Sequence, residues 1–248
     1  MRSLIIALAL GAAAAPSGGA PASSAAAPAL SGEALVQQKA RHLAQLTNPV
    51  EVMADAEVRQ FDKAFIPMLR TNENVAALEV DHPGLLNAVY AAARGLVAPY
   101  MRREIPVLQA EMAKLYAARF SASELDDLTT FYESPTGQRL IGGVIANQDV
   151  RGIAEEYMKT GSFGQESIEA QKRSAVAKTM GELEQRDRDA LLAFSKSPAF
   201  PKLAAIRSDA TQILQTWMNR PTPEYDREMD AVIAKAMEDY MAQHPAKK

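Results

Sequence analysis

Apolar side chains recur along this chain at the three- and four-residue spacing of an amphipathic helix, and no stretch alternates long enough to read as a strand pair. The pattern is sharpest from Phe120 to Leu140. Ser121 followed by Glu124 predicts a capping box, in which the hydroxyl accepts from a first-turn amide and the carboxylate takes the cap's own N–H. Phe120 before the cap and Leu125 one turn inside it are placed for a hydrophobic staple. Leu125, Leu128, Phe131 and Tyr132 then share one helical face. Ser134-Pro135 reads as a fresh start: an N-cap hydroxyl, then a residue whose missing N–H would be unpaired in the first turn anyway. Gly137, in that turn, leaves room for another backbone to come close. Leu140, Ile141, Val144 and Ile145 carry the apolar stripe onward. The prediction is helix, corner, helix.

The same reasoning predicts a helix over Glu33–Leu46 and another opening at Asn48-Pro49 and running to Leu69. Thr71–Asn74 is a polar break. Asp81-His82-Pro83 starts a long apolar helix from Leu85 to Phe120, with a bend or interruption at Pro99 and Pro106. Gly161–Gly164 reads as a hinge or loop, followed by one helix from Gln165 to Phe194. A second Ser-Pro corner then leads to Arg220, Pro221-Thr222-Pro223 breaks the chain, and Glu224–Gln243 forms a last amphipathic helix.

Part of the first corner returns 63 positions later: Leu128, Phe131, Ser134, Pro135 and Leu140 recur as Leu191, Phe194, Ser197, Pro198 and Leu203. The second copy is degenerate. Phe200 stands where the first has its glycine, Ser195 where it has Tyr132, and Pro201 breaks the following turn. The predicted fold class is all-α: helical hairpins packed as a bundle or short irregular array, with a partial internal repeat. Two similar copies do not make a regular solenoid.

Phe120, Glu124, Leu125, Phe131, Tyr132 and the Ser134-Pro135-x-Gly137 run together resemble the signature of domain-of-unknown-function family 2059, over 50 to 60 residues around the motif. The resemblance implies a helical protein of a family whose members are mostly exported by Gram-negative bacteria. It implies no activity, cofactor or catalytic residue.

The N-terminus sharpens location. Arg2 precedes an apolar run, Leu4–Ala15, of signal-peptide length and too short to span a bilayer. Small residues at Ala12–Ala14 and Ala20–Ala22 offer cleavage sites, and Ala22 is favoured. Residues 1–22 are thus expected to be a signal peptide and 23–31 a disordered Ala/Pro/Ser linker. Residues 32–160 form a helical domain carrying the corner. Residues 161–248 form a second helical half with the degenerate repeat, in the same domain or in one of its own. The predicted location is the periplasm. There are no cysteines, so neither a lipidated N-terminus nor a disulfide is expected, and packing alone must hold the fold. Loss of residues 1–22 removes one arginine and no acid, which takes the net charge from -3 to -4. That mild acidity gives no footprint for nucleic acid or an anionic membrane.

Candidate chemistry is sparse. His42, His82 and His244 are far apart and lack paired-ligand spacing, and the chain has neither a nucleophile elbow nor a phosphate loop. Ser134 is accounted for as an N-cap. Asp126-Asp127 and Glu155-Glu156 are adjacent pairs, which diverge on a helix and read as solvated faces. Met237, Met241 and His244 share one face of the last helix, a donor set that suits Cu(I), although packing methionines and an end histidine explain them as simply. No cofactor is predicted, and no catalytic residue. The sequence favours a non-catalytic interaction module of the envelope, binding another protein or a second copy. The alternative is a carrier of a small apolar molecule or lipid in a cleft between stretches such as Leu85–Leu96 and Val107–Tyr116.

Overall fold

The structure, a computed structural model, describes residues 32–70 and 73–245. The expected signal peptide and linker, residues 1–31, lie outside the described residues. The described residues contain twelve helices and no strand. The first four are α1 (Gly32–Thr47), α2 (Val50–Arg70), α3 (Glu73–Asp81) and α4 (Leu85–Arg119). The corner follows as α5 (Ala122–Glu133) and α6 (Pro135–Ala146), then α7 (Arg151–Thr160) and α8 (Gln165–Glu182). The chain ends with α9 (Gln185–Phe194), α10 (Ala199–Ala205), α11 (Arg207–Asn219) and α12 (Pro223–Gln243).

The organising element is α4, one helix of 35 residues against which α1, α2, α11 and α12 all pack. Of the bend or interruption expected at Pro99 and Pro106, its continuity removes the interruption. Pro99 and Pro106 both sit on its exposed side, as do Gly95 and Arg102, whose carbonyls the prolines leave without an intrahelical donor. Water can reach those carbonyls, so the lost bonds cost little, while Val97, Met101, Ile105 and Leu108 hold the opposite side in the core. The carrier reading had set Leu85–Leu96 facing Val107–Tyr116 across a cleft. Both are turns of this same helix and enclose nothing between them.

Buried side chains from Ala40 to Met229 belong to one hydrophobic cluster, so the helices before and after the Gly161–Gly164 loop share a core. Two of its polar inclusions tie helices together. Tyr116 is wholly buried, its hydroxyl 3.2 Å from Thr47 Oγ1, and burial pushes its phenol up to about 12. Gln109 Nε2 donates to the Asn48 carbonyl at 2.7 Å, tying the α1–α2 corner to α4.

Three sequence expectations are redrawn. A helix, α3, begins at Glu73 inside the expected polar break and precedes α4, and its Glu79 carboxylate accepts from the backbone N–H of Gly84 (2.9 Å) and Leu86 (2.8 Å). It thereby serves the amides at the start of α4. The expected helix from Gln165 to Phe194 is two, because Leu183 and Glu184 are extended and Leu183 turns inward. The segment from the second Ser-Pro corner to Arg220 is also two, separated at the buried Ile206.

Candidate functional site

The α5–α6 corner is held by its own backbone amides. Ser121 Oγ accepts from Glu124 N–H at 3.3 Å, and the Glu124 carboxylate accepts from Ser121 N–H at 2.8 Å. Phe120 and Leu125, on either side of the cap, are buried. Ser134 Oγ accepts from Gly137 N–H at 3.1 Å and donates to the Phe131 carbonyl at 2.7 Å, with Pro135 in the first turn. Both hydroxyl functions are therefore engaged in the turn. A Cβ on Gly137 would stand 2.6 Å from Tyr132 Cα, so this glycine makes room for the preceding helix. Phe131 and Tyr132 are buried with their rings edge to face.

The degenerate copy lies against this corner. Phe131 stacks on Phe194. Lys202 pairs with Glu124 at 2.8 Å, so the capping-box carboxylate is shared with α10 and held below the usual range, first by Lys202 and then by the Ser121 amide. Asp187, at the start of α9, accepts from Thr136 Oγ1 at 2.7 Å and forms an ion pair with Arg139. The two corners differ in geometry. Ser197 Oγ accepts from Ala199 N–H at 3.2 Å, two residues on and not three as at Ser134, and the helical Pro198 takes the N-cap position of the short α10 without a side-chain bond. Leu191, Phe194 and Leu203 are buried.

Other candidate groups are occupied structurally. Glu156 is no solvated-face residue: it contacts Ser167 Oγ and accepts from Gly164 N–H at 3.4 Å, at the start of α8. Asp126 pairs with Lys39, and Asp127 Oδ2 lies 3.5 Å from Ser197 Oγ. Lys172 Nζ donates to Thr211 Oγ1 at 2.8 Å, and Thr211 also contacts Glu169. Burial lowers the Lys172 ammonium, and the trio has the composition of an activated hydroxyl nucleophile. Thr211 is wholly buried, however, and donates to the Arg207 carbonyl, so the trio bolts α8 to α11.

Each histidine has a structural contact. His42 Nε2 lies 2.7 Å from Glu133, on the α1–α5 surface. His82 Nδ1 bonds the His244 carbonyl at 2.9 Å, while the His244 ring stacks on Tyr240 and its Nδ1 lies 3.1 Å from the Tyr240 carbonyl. Met237 and Met241 pack against the core. Among the described residues, no group of three or more His, Asp or Glu is placed to hold a metal ion.

A concave feature of the surface runs between α4 and α11. Arg119 pairs with Asp209 at 2.7 Å, while at the other end Trp217 Nε1 donates to the Glu104 carbonyl at 3.2 Å and Arg220 pairs with Glu104. The helices are therefore antiparallel. Along them opens a trough of about 980 Å³, lined on its apolar side by Val107, Leu115, Ile213, Trp217 and Pro221. Glu111, Gln212 and Thr216 stand exposed beside these. Val107 is 37% exposed and Leu115 and Ile213 are half-buried, so the apolar strip faces water. The far wall is fixed to the Gly161–Gly164 loop: Gln215 and Asn219 each donate to the Phe163 carbonyl at 3.0 Å, and Asn219 accepts from Phe163 N–H at 2.9 Å. Sequence reasoning marked the α4 stretch of this trough but not α11, whose apolar face is legible only once its partner helix is known.

No curated protein and no solved structure matches the chain. Residues 107–159, from the second half of α4 through the corner into α7, match the family described as "Uncharacterized protein conserved in bacteria (DUF2059)", the family that the Phe120–Gly137 motif resembles.

Proposed function

We propose that this chain is an exported, non-catalytic interaction module of the bacterial envelope, and that it binds an apolar segment of another protein in the α4–α11 trough. The observation that carries this reading is the trough itself. It is long, open to solvent, apolar along its centre and polar at its sides, which is the surface that an amphipathic segment covers. Its walls are fastened at both ends by ion pairs and to the loop at Phe163, so the surface is pre-organised and binding requires little ordering. The apolar run Leu4–Ala15 behind Arg2 supports export. Among the described residues, no helix is long and apolar enough to cross a membrane.

A second reading draws on the same apolar lining: a single-chain lipid or other small apolar molecule could occupy the trough, whose volume lies within the range of small-molecule sites. Native mass spectrometry of protein released gently from the envelope separates the two. A co-purifying polypeptide, lost in Ile213→Asp, is the expected result. A retained small mass, lost in the same variant, would transfer the trough to the carrier reading.

A further inference from the structure

At the start of α4, the end away from the trough, the last turn of α12 closes over the α3–α4 corner. Tyr240 Oη donates to the Pro83 carbonyl at 2.6 Å. Gly84, whose φ is +98°, leaves room for that phenol, since a Cβ there would stand 2.5 Å from Tyr240 Oη. Two histidines meet at this closure. His82 Nδ1 bonds the His244 carbonyl at 2.9 Å, across 162 positions of sequence. The His244 ring stacks on Tyr240 with centroids 4.2 Å apart and planes 17° from parallel, and its Nδ1 lies 3.1 Å from the Tyr240 carbonyl.

Both acceptors are carbonyl oxygens, so in each ring Nδ1 is the nitrogen that carries the hydrogen. A neutral imidazole has one N–H, and each Nε2 is therefore left with a lone pair. Neither Nε2 has a hydrogen-bond partner among the described residues. His82 is half-buried and His244 exposed, so an ion in solvent can reach them. An imidazole that ligates a metal is held in the same way, one nitrogen donating to a backbone carbonyl or carboxylate and the other turned to the ion. His42 differs, because there Nε2 is the engaged nitrogen, 2.7 Å from Glu133.

We propose that His82 and His244 together bind a divalent transition-metal ion through their Nε2 atoms, with solvent in its remaining positions. The ion belongs to the class that imidazole suits, Zn(II), Ni(II) and Cu(II), and Cu(II) should bind most tightly. The donor set differs from the Met237, Met241 and His244 trio suggested by the sequence. Both methionines pack against the core, while the second imidazole comes from the α3–α4 corner. Because the ion joins α12 to that corner, its binding also fastens the C-terminal helix. The site is independent of the trough, whose α4 wall runs from Val107 to Leu115.

Zn(II), which is diamagnetic, is the probe, added to the intact folded protein while the histidine ring nitrogens are followed by NMR. Before addition, His82 and His244 should both show the Nδ1–H tautomer. Zn(II) should then shift their Nε2 resonances together and leave those of His42 in place. Calorimetric titration of variants completes the test. His82→Gln keeps an N–H for the His244 carbonyl but offers no nitrogen lone pair, so it separates ligation from the closure itself. It should weaken Zn(II) binding about tenfold or more, as should His244→Gln. His42→Gln should leave the affinity unchanged, and Mg(II), which takes oxygen ligands, should not compete. Shifts at all three histidines alike, or at none, would overturn the proposal. So would an Nε2–H tautomer in either ring, or an affinity that survives the loss of His82 or His244.

Discussion

Phe131 and Phe194 stack face to face, with ring centroids 4.3 Å apart and planes 5° from parallel. These are the aromatic positions that recur at the 63-residue offset, so the degenerate copy covers the aromatic of the first. The contact joins α5 to α9, and the Glu124–Lys202 and Asp187–Arg139 pairs flank it. Phe200 and Ser195 stand where the first corner has Gly137 and Tyr132, and this second segment packs over the first corner.

Truncation of the stack should be costly. Phe194 is 2% exposed, and Phe194→Ala removes a large buried side chain and leaves a cavity beside Phe131. A loss of about 3–5 kcal/mol is expected in denaturant unfolding. A loss under about 1 kcal/mol would mean that α9 is not an integral part of the core.

Within the corner, Gly137→Ala should destabilise more than Ser134→Ala. The serine change removes a cap, worth about 1 kcal/mol. The glycine change drives a Cβ against the Phe131 carbonyl and the Tyr132 backbone, which cannot rotate away as a side chain would. Thermal unfolding of the two variants checks the order. A Gly137→Ala protein that melts like wild type would show that the two helices can separate without penalty.

Asp187 predicts a pH dependence. Its carboxyl lies below the ordinary 3.8, chiefly because Arg139 bonds it and with help from Thr136. The folded state therefore holds its proton less tightly than the unfolded state. The stabilisation is complete above the ordinary value and is lost as pH falls through the lower, folded one. Asp187→Asn should lower stability near neutral pH and flatten the decline in strong acid. An unchanged acid slope in the variant would remove Asp187 from the account.

Glu79 acts as the external cap of the longest helix. Glu79→Ala should speed hydrogen exchange at the Gly84 and Leu86 amides and leave the amides of Leu108 and Met112 protected. A change spread along all of α4 would mean that its start and its centre open together.

Legibility in the sequence followed the range of the interaction. The Ser121–Glu124 box and the Ser134-Pro135-x-Gly137 start are encoded within four residues, and the helix class follows from local periodicity. The Thr136–Asp187 bond and the Arg139–Asp187 pair span about fifty positions, and no local rule announces them. The same holds for Glu79 and Glu156, whose carboxylates cap helices other than their own. Pro99 and Pro106 left bend and interruption both open, because a local rule weighs the lost donor without knowing that solvent covers the orphaned carbonyls. The trough was half legible, since its α4 side is apolar in sequence and its α11 side becomes an exposed strip only through packing.

The central claim is that the α4–α11 trough receives an apolar segment of another protein. The most direct measurement places a photo-reactive amino acid at position 107, inside the trough, and separately at position 80, on α3, where Val80 is 78% exposed and lies outside the trough. Irradiation in living cells, followed by mass mapping of the adduct, should give one discrete polypeptide partner from position 107. Its cross-linked peptide should carry an apolar stripe, and position 80 should give no such adduct. The same adducts from both positions, or a lipid-sized mass from position 107, would contradict the account.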